Sequence, residues 1–158
     1  MRDLFNRVAV VDGVEAPALN TNSDTDIVSA IVDLAGYESA LFLIINGALT
    51  DAGAIVSVKL EEGNDSGLSD AAAVAANEIQ LDNASGRMDA TPESTFHAAY
   101  DQSDDNKTFK IGYLGNKRYV RLTLSPVGNA AGDIPVAVTV IKGHARHNSP
   151  GAGATQTP

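Results

Sequence analysis

The sequence lacks cysteine and tryptophan, and it has only four tyrosines and four phenylalanines among 158 residues. Without cysteine, the chain has neither a disulfide framework nor a thiol nucleophile. The apolar fraction is still 44%, supplied mostly by Ala, Val, Ile and Leu. A core so poor in aromatic side chains is lean for a chain of this length, and we expect contacts between subunits to supplement it.

Cations and long apolar runs are also scarce. Eleven Lys and Arg stand against twenty Asp and Glu, which gives a formal net charge of −9. Phosphate backbones and anionic membranes are bound through an excess of cations, so we expect neither nucleic acid nor a membrane as a partner. The longest apolar run, ALFLIIN at residues 40–46, is too short for a transmembrane helix and suits a buried strand. The start of the chain carries only a four-residue apolar stretch, so we expect no secretory signal there.

Short runs of β-branched residues recur along the chain, separated by connectors rich in Gly, Asn, Asp and Ser. Some of the runs alternate clearly, such as Val56, Val58 and Leu60 in one and Val136, Val138 and Val140 in another. This pattern predicts an all-β fold, an antiparallel β-sandwich or jelly roll. The predicted strands lie within residues 7–11, 25–36, 40–47, 53–63, 108–114, 117–124 and 134–143.

The composition changes towards both ends of the chain. We expect an extended N-terminal arm over residues 1–24, the β-sandwich domain over residues 25–148, and a flexible C-terminal tail over residues 149–158. Within the domain, SDAAAVAANEIQ at residues 69–80 is the exception to the strand pattern. Ser69 or Asp70 would cap a short Ala-rich helix there, and an extended excursion is the alternative.

Five of the eleven basic residues fall within one short segment, KTFKIGYLGNKRYVR at residues 107–121. A two-residue turn at Gly115 and Asn116 would fold this segment into a hairpin, because both residue types tolerate the positive φ of type I′ and II′ turns. Phe109, Ile111, Val120 and Leu122 would then form one apolar face towards the core. On the other face, Gly112 would oppose Tyr119 and leave room for its ring.

The same register would place Lys110 directly opposite Arg121, which is unfavourable because like charges repel. Two interpretations follow. Either carboxylates of this chain neutralise the pair, or the basic face meets an acidic surface on another subunit or another protein. The second interpretation makes five residues candidates for partner binding: Lys110, Lys117, Arg118, Tyr119 and Arg121.

The residue patterns give no positive case for catalysis. The sequence has no GxSxG, P-loop or GxGxxG motif. His97, His144 and His147 lack a third ligand with zinc-like spacing. The polar clusters at residues 20–26 and 101–106 do not match a calcium loop, and turns rich in Asn and Asp explain both. We therefore expect no enzyme activity, no cofactor and no metal.

Two long segments of the sequence resemble small proteins encoded beside the major capsid protein in tailed bacteriophages and prophages. The segments are SDTDIVSAIVDLAGYESALFLIINGAL and YLGNKRYVRLTL…IPVAVTVIKGHARHN. The resemblance covers roughly residues 24–148, and the GYLGNKRYVR and GHARHN phrases carry most of it. It implies a structural virion protein on the outer capsid surface, a decoration (cement) protein that bridges neighbouring major capsid subunits. Such proteins often form trimers or dimers, and the resemblance assigns no contact residue.

Two other functions remain open from the sequence. A head–tail connector or tail component would form rings of fixed number, whereas a decoration protein is present in hundreds of copies. A carbohydrate-binding β-sandwich would need exposed aromatic platforms, for which the plausible residues are Tyr37, Tyr100 and Tyr119.

Overall fold

The computed structural model describes residues 8–13, 18–81 and 96–146 of the chain. Two 3-10 turns, Ala76–Glu78 and Gln102–Asp104, are the helical elements of this part. The rest of its regular structure is extended. The strands are β1 (Ala9–Asp12), β2 (Ala18–Thr21), β3 (Ile27–Val28), β4 (Val32–Asp33), β5 (Tyr37–Asn46), β6 (Ile55–Gly63), β7 (Ala72–Ala73), β8 (Ile79–Leu81), β9 (Ala98–Asp101), β10 (Thr108–Tyr113), β11 (Tyr119–Val127) and β12 (Asp133–Ala145).

The strands form two antiparallel sheets packed as a sandwich, as the sequence predicts. Sheet A has the order β1-β12-β5-β10-β8, and β2 follows β1 along the same edge of β12. Sheet B has the order β3-β11-β6-β7, with β4 also on β11 and β9 also on β6. β1 and β2 lie within the segment predicted as an arm, so strands of that segment belong to sheet A. The remainder of that arm and the predicted tail at 149–158 lie outside the described residues.

The core lies between the sheets and is built from every second residue of the long strands. The alternating apolar residues predicted in β6 and β12 all point inward, and so do the four predicted from the basic segment. Both predictions are confirmed. The inward residues of the two sheets include Phe42, Ile44, Val56, Val58, Leu60, Phe109, Ile111, Val120, Leu122, Val136, Val138 and Val140.

The predicted hairpin at Gly115 and Asn116 is wrong. β10 pairs with β5 and β8 in sheet A, whereas β11 pairs with β3, β4 and β6 in sheet B. Neither Gly115 nor Asn116 has a positive φ, so the connection between the strands is not a type I′ or II′ turn. It crosses from one sheet to the other. The apolar residues of β10 and β11 therefore stack across the core and are buried as a hairpin would bury them.

The predicted helix at residues 69–80 is also wrong, and the extended alternative holds. This segment contains β7, a 3-10 turn and β8. Asp70 accepts hydrogen bonds from the backbone N–H groups of Asn64 and Asp65, so it closes a loop and does not cap a helix. Val74 is buried and donates its N–H to Leu60 on β6. Pairing with the sheets therefore outweighs the helix propensity of alanine.

Candidate interaction surfaces

The fold separates the five candidate partner-binding residues onto three surfaces. Lys110 points outward from sheet A, in register with Leu43 of β5. Arg121 points outward from sheet B, in register with Glu61 of β6. Lys117, Arg118 and Tyr119 lie where the chain crosses between the sheets. The predicted opposition of Lys110 and Arg121 does not exist, because their strands belong to different sheets.

Arg121 is neutralised within the chain. Its Nε lies 2.9 Å from Oε2 of Glu61, and Lys59 Nζ lies 3.1 Å from the other oxygen of the same carboxylate. Burial opposes the charged form of Glu61, but the hydrogen bonds from Arg121 and Lys59 outweigh it and lower the pKa of Glu61. For this residue the interpretation that carboxylates of the same chain provide the counter-charge is confirmed.

Arg118 also has a counter-ion on its own chain. Its guanidinium donates to both carboxylate oxygens of Asp33, at 2.9 and 2.8 Å, and lies 5.0 Å from the centre of the Tyr119 ring. The hydrogen bond from Arg118 is the main reason that the pKa of Asp33 falls to about 2. The side chains of Arg118 and Asp33 remain 55% and 43% exposed. Water therefore screens this pair, and it contributes little to stability.

A shallow cleft of about 420 Å³ lies at this end of the sandwich. Its walls are residues 34–38, residues 115–118 and Arg146. Arg146 lies 3.6 Å from Glu38. Hydrogen bonds from the backbone N–H groups of Asn64 and Asp65 lower the pKa of Asp70, and the charge of Lys117 adds a smaller effect in the same direction. We call Lys117, Arg118 and Tyr119, which lie along and beside this cleft, the cleft-end group.

The outer side of sheet A carries mostly apolar side chains that are partly exposed, with Thr139 among them. The side chains that point outward from β5 are Leu41, Leu43 and Ile45, and β1 and β12 add neighbours in register with them. Ile45 is 46% exposed and Val10 is 65% exposed. We call this surface the outer apolar face, and its members are Val10, Leu41, Leu43, Ile45, Pro135, Ala137 and Ile141.

The outer side of sheet B is different, because polar and charged residues occupy most of it. β6 presents Ser57, Lys59 and Glu61 there, and β11 presents Arg121, Thr123 and Ser125. Many of these side chains bond to one another; Thr123, for example, donates to Glu61. Antiparallel sheets of a sandwich usually carry polar residues on the side that faces water. The middle of sheet B follows that rule, although Val28, Ile55 and Val127 are exposed near its ends. The middle of sheet A does not follow it.

The sequence carries a signal for the outer apolar face, which our sequence reasoning did not use. The run ALFLII is apolar at consecutive positions, and this pattern predicts a central strand. β5 is central within its sheet, between β12 and β10. The prediction of a central strand does not account for the sandwich, in which only one side of sheet A packs against the core.

The histidines and the polar clusters do not come together as a site. His97 is half-buried, and burial lowers its pKa. The ring of His144 lies 2.7 Å from Ser39 Oγ, and His147 lies outside the described residues. Within the described ranges, no group of three or more His, Asp or Glu side chains is arranged to hold a metal ion. In the polar clusters, Asn20 bonds to the carbonyls of Ser23 and Thr25, and Asp101 accepts the N–H of Ser103, as expected for turns.

The three tyrosines proposed as exposed platforms are not equivalent. Tyr100 is 2% exposed, so that prediction is wrong for this residue, because it is an inward residue of β9. Tyr37 and Tyr119 are half-buried, and each ring is covered by a cation, Lys142 and Arg118 respectively. The described part of the chain has no helix that is long and apolar enough to cross a bilayer.

Comparisons with known proteins give weak likenesses. No family model matches the chain, and no curated protein matches it. Among solved structures, it is similar to the SPBc2 prophage-derived protein YomS, with 8% identity and a TM-score of 0.45 over 85% of this chain and 93% of that one. It is also similar to infectious bursal disease virus Gx strain, with 12% identity and a TM-score of 0.34 over 92% of this chain and 34% of that one. A family two carbohydrate esterase from Cellvibrio japonicus has 11% identity and a TM-score of 0.27, over 87% of this chain and 34% of that one. All three TM-scores are below 0.5, so these likenesses carry no argument about what the protein does.

Proposed function

We propose that the protein is a structural component of phage particles: a non-catalytic capsid decoration protein that binds the outer capsid surface and bridges neighbouring major capsid subunits. The two sequence segments that resemble proteins encoded beside the major capsid protein support a role in the phage particle. The exposed Arg118–Asp33 pair of the cleft-end group is the observation that carries the proposal, because a guanidinium that already binds a carboxylate in a screened pair suits an acidic contact on another protein.

The cleft-end group supplies the contact with the capsid in this proposal. Arg118 presents a planar guanidinium that already binds one carboxylate in a two-point geometry. Its pair with Asp33 is exposed and screened, so a carboxylate of the capsid protein replaces or joins Asp33 at small cost. Tyr119 adds an aromatic surface next to the guanidinium. Lys110 and Arg121 point away from this end and do not take part.

The first test is the copy number of the protein relative to the major capsid protein, measured by quantitative mass spectrometry of purified particles. We expect a ratio near one to one, or another fixed fraction that implies hundreds of copies. About a dozen copies would instead indicate a connector ring. Absence from particles would overturn the proposal.

The second test reverses the charge of the cleft-end group in the double variant Lys117→Glu/Arg118→Glu. We expect the occupancy of capsids in a binding assay to fall by about tenfold or more, because like charges then meet on the two surfaces. Lys107→Glu is the matched control, since Lys107 lies at the opposite end of β10 and pairs with Asp104. Equal occupancy for the double variant, the control and the unmodified protein would exclude this surface. Unchanged circular dichroism shows that the variants are folded.

A further inference from the structure

Four adjacent strands of sheet A carry the outer apolar face and its borders, in the order β1, β12, β5, β10. The residues that point outward lie in rows across these strands. One row is Val10, Ile141, Leu41 and Gly112, and the next is Asp12, Thr139, Leu43 and Lys110. The middle of both rows lies between β12 and β5. A two-fold axis along the strands at that midpoint exchanges β1 with β10 and β12 with β5.

We propose that the outer apolar face is the interface of a homodimer, in which two copies pack sheet A against sheet A about this axis. Such an axis keeps each row opposite the same row of the other copy. The two copies then contact each other through identical surfaces, as a closed two-fold dimer requires. Sheets that pack face to face in this aligned way are a common arrangement.

The charges at the two ends of one row fit this axis. Asp12 and Lys110 are both exposed, and neither side chain forms a hydrogen bond or an ion pair with the described residues. Within one chain they lie three strand spacings apart, about 14 Å, and do not meet. The rotation places Asp12 of each copy over Lys110 of the other. A two-fold axis across the strands would instead bring Asp12 close to Asp12 and Lys110 close to Lys110.

The sizes of the side chains fit the same axis. Val10 is the most exposed residue of the face, and the rotation places it over Gly112, which has no side chain. The side chain of Gln80 on β8 lies beside this position, with its Cβ 3.3 Å and its Oε1 3.4 Å from where a Cβ at Gly112 would stand. Ala137 and Ile45 are partners in register, so the rotation places the small residue of each copy over the large residue of the other. Large residues therefore meet small ones at both positions.

The extent of the face sets the expected affinity. Four strands span roughly 20 Å, and the outward residues extend for a similar length along β5. A patch of this size is smaller than the roughly 800 Å² per partner of a typical stable interface. We therefore expect a dissociation constant in the micromolar range. The dimer is a property of the chain itself and does not depend on the capsid.

Sedimentation equilibrium of the purified protein over a range of concentrations tests the proposal without capsids. We expect a monomer–dimer equilibrium for the unmodified chain. The single variants Asp12→Lys and Lys110→Asp each bring like charges together, and we expect each to weaken self-association by about tenfold or more. The double variant Asp12→Lys/Lys110→Asp restores opposite charges, and we expect it to regain most of the lost affinity.

Mixing the two single variants is the sharper experiment. One variant then offers two cations and the other two carboxylates, so a one-to-one mixture forms a heterodimer more readily than either variant forms a homodimer. Lys107→Asp is the control for Lys110→Asp, because it makes the same charge change outside the face. A chain that stays monomeric at all concentrations would overturn the proposal. Equal dimer affinity for the unmodified protein and for both single variants would overturn the proposal as well.

Discussion

The hydroxyl groups of Tyr100 and Tyr113 differ in their surroundings, although both rings belong to the core. Tyr113 donates to the carboxylate of Glu62 and accepts the backbone N–H of Lys117. The buried hydroxyl of Tyr100 has no hydrogen-bond partner among the described residues. Burial raises the pKa of both phenols, so both are protonated at neutral pH.

These surroundings predict opposite effects of the same substitution. Tyr100→Phe removes a buried polar group that is not paired, and we expect the free energy of unfolding to stay constant or to rise by up to about 1 kcal/mol. Tyr113→Phe leaves Lys117 N–H and Glu62 without a partner, and we expect a loss of about 1–2 kcal/mol. Urea denaturation measures both. A larger loss for Tyr100→Phe than for Tyr113→Phe would contradict this view of the core.

At the edge of sheet B, the side chain of one residue makes a hydrogen bond that strand pairing would otherwise supply. β3 and β4 both pair with β11, and Ser29 lies between them, where neither strand continues. Ser29 donates its N–H to the carbonyl of Leu122, and its Oγ accepts the N–H of the same residue. One serine therefore supplies both bonds that a paired residue would supply.

Ser29→Ala removes the acceptor and leaves the N–H of Leu122 buried without a partner. We expect the free energy of unfolding to fall by about 1–3 kcal/mol. Ser57→Ala is the control, because Ser57 lies on the outer side of sheet B, and we expect a change within about 0.5 kcal/mol. Urea denaturation measures both free energies of unfolding. Equal values for the two variants would show that the hydrogen bond from Leu122 N–H to Ser29 does not contribute to stability.

The positions of the long strands were predictable, and their pairing was not. Alternation at β6 and β12 is a local pattern, and it identifies which side chains are buried. Which strands pair depends on segments that are distant in the sequence. The inward residues of β10 and β11 were therefore predicted correctly, but the pairing of these strands as a hairpin was wrong. The alanines at residues 69–80 favour a helix locally, but Val74 is buried against sheet B.

The candidate surfaces were predictable only in part for the same reason. Lys110, Lys117, Arg118 and Arg121 were predicted to share one basic face, and the crossing between the sheets distributes these four cations over three surfaces. The counter-charge of Arg121 comes from Glu61, a residue far away in sequence that no local pattern connects to it. The row that contains Asp12 and Lys110 becomes visible only when the register of four strands is known.

For the whole molecule, carboxylates make the fold sensitive to acid. A hydrogen bond from Arg118 lowers the pKa of Asp33, and hydrogen bonds from backbone N–H groups lower the pKa of Asp51, Asp65 and Asp70. The side chain and the backbone N–H of Ser103 lower the pKa of Asp101, and the pKa of Glu61 is also lowered. In the unfolded chain, these carboxyl groups have pKa values near 4. Below that pH, the unfolded chain binds more protons than the folded chain. The stabilisation is therefore complete above about pH 5 and is lost as the pH falls through 4 towards 2.

We expect the free energy of unfolding, measured with urea at pH 7, 5 and 3, to change little between the first two values and to fall at the third. Glu61→Gln removes the partly buried carboxylate that Arg121 and Lys59 bind, and we expect the stability of this variant to depend less on pH below about 4. Equal stability at pH 7 and pH 3 would contradict the assignment of these carboxylates.

The place of β12 in sheet A has a consequence for biosynthesis. β12 pairs with β1, with β2 and along most of β5, yet it is the last strand of the sheet to leave the ribosome. Until then, β5 has one unpaired edge and apolar side chains on both sides, which is the state in which nascent chains aggregate. We therefore expect slower translation between β5 and β12 to prolong this exposure and to lower the yield of folded protein.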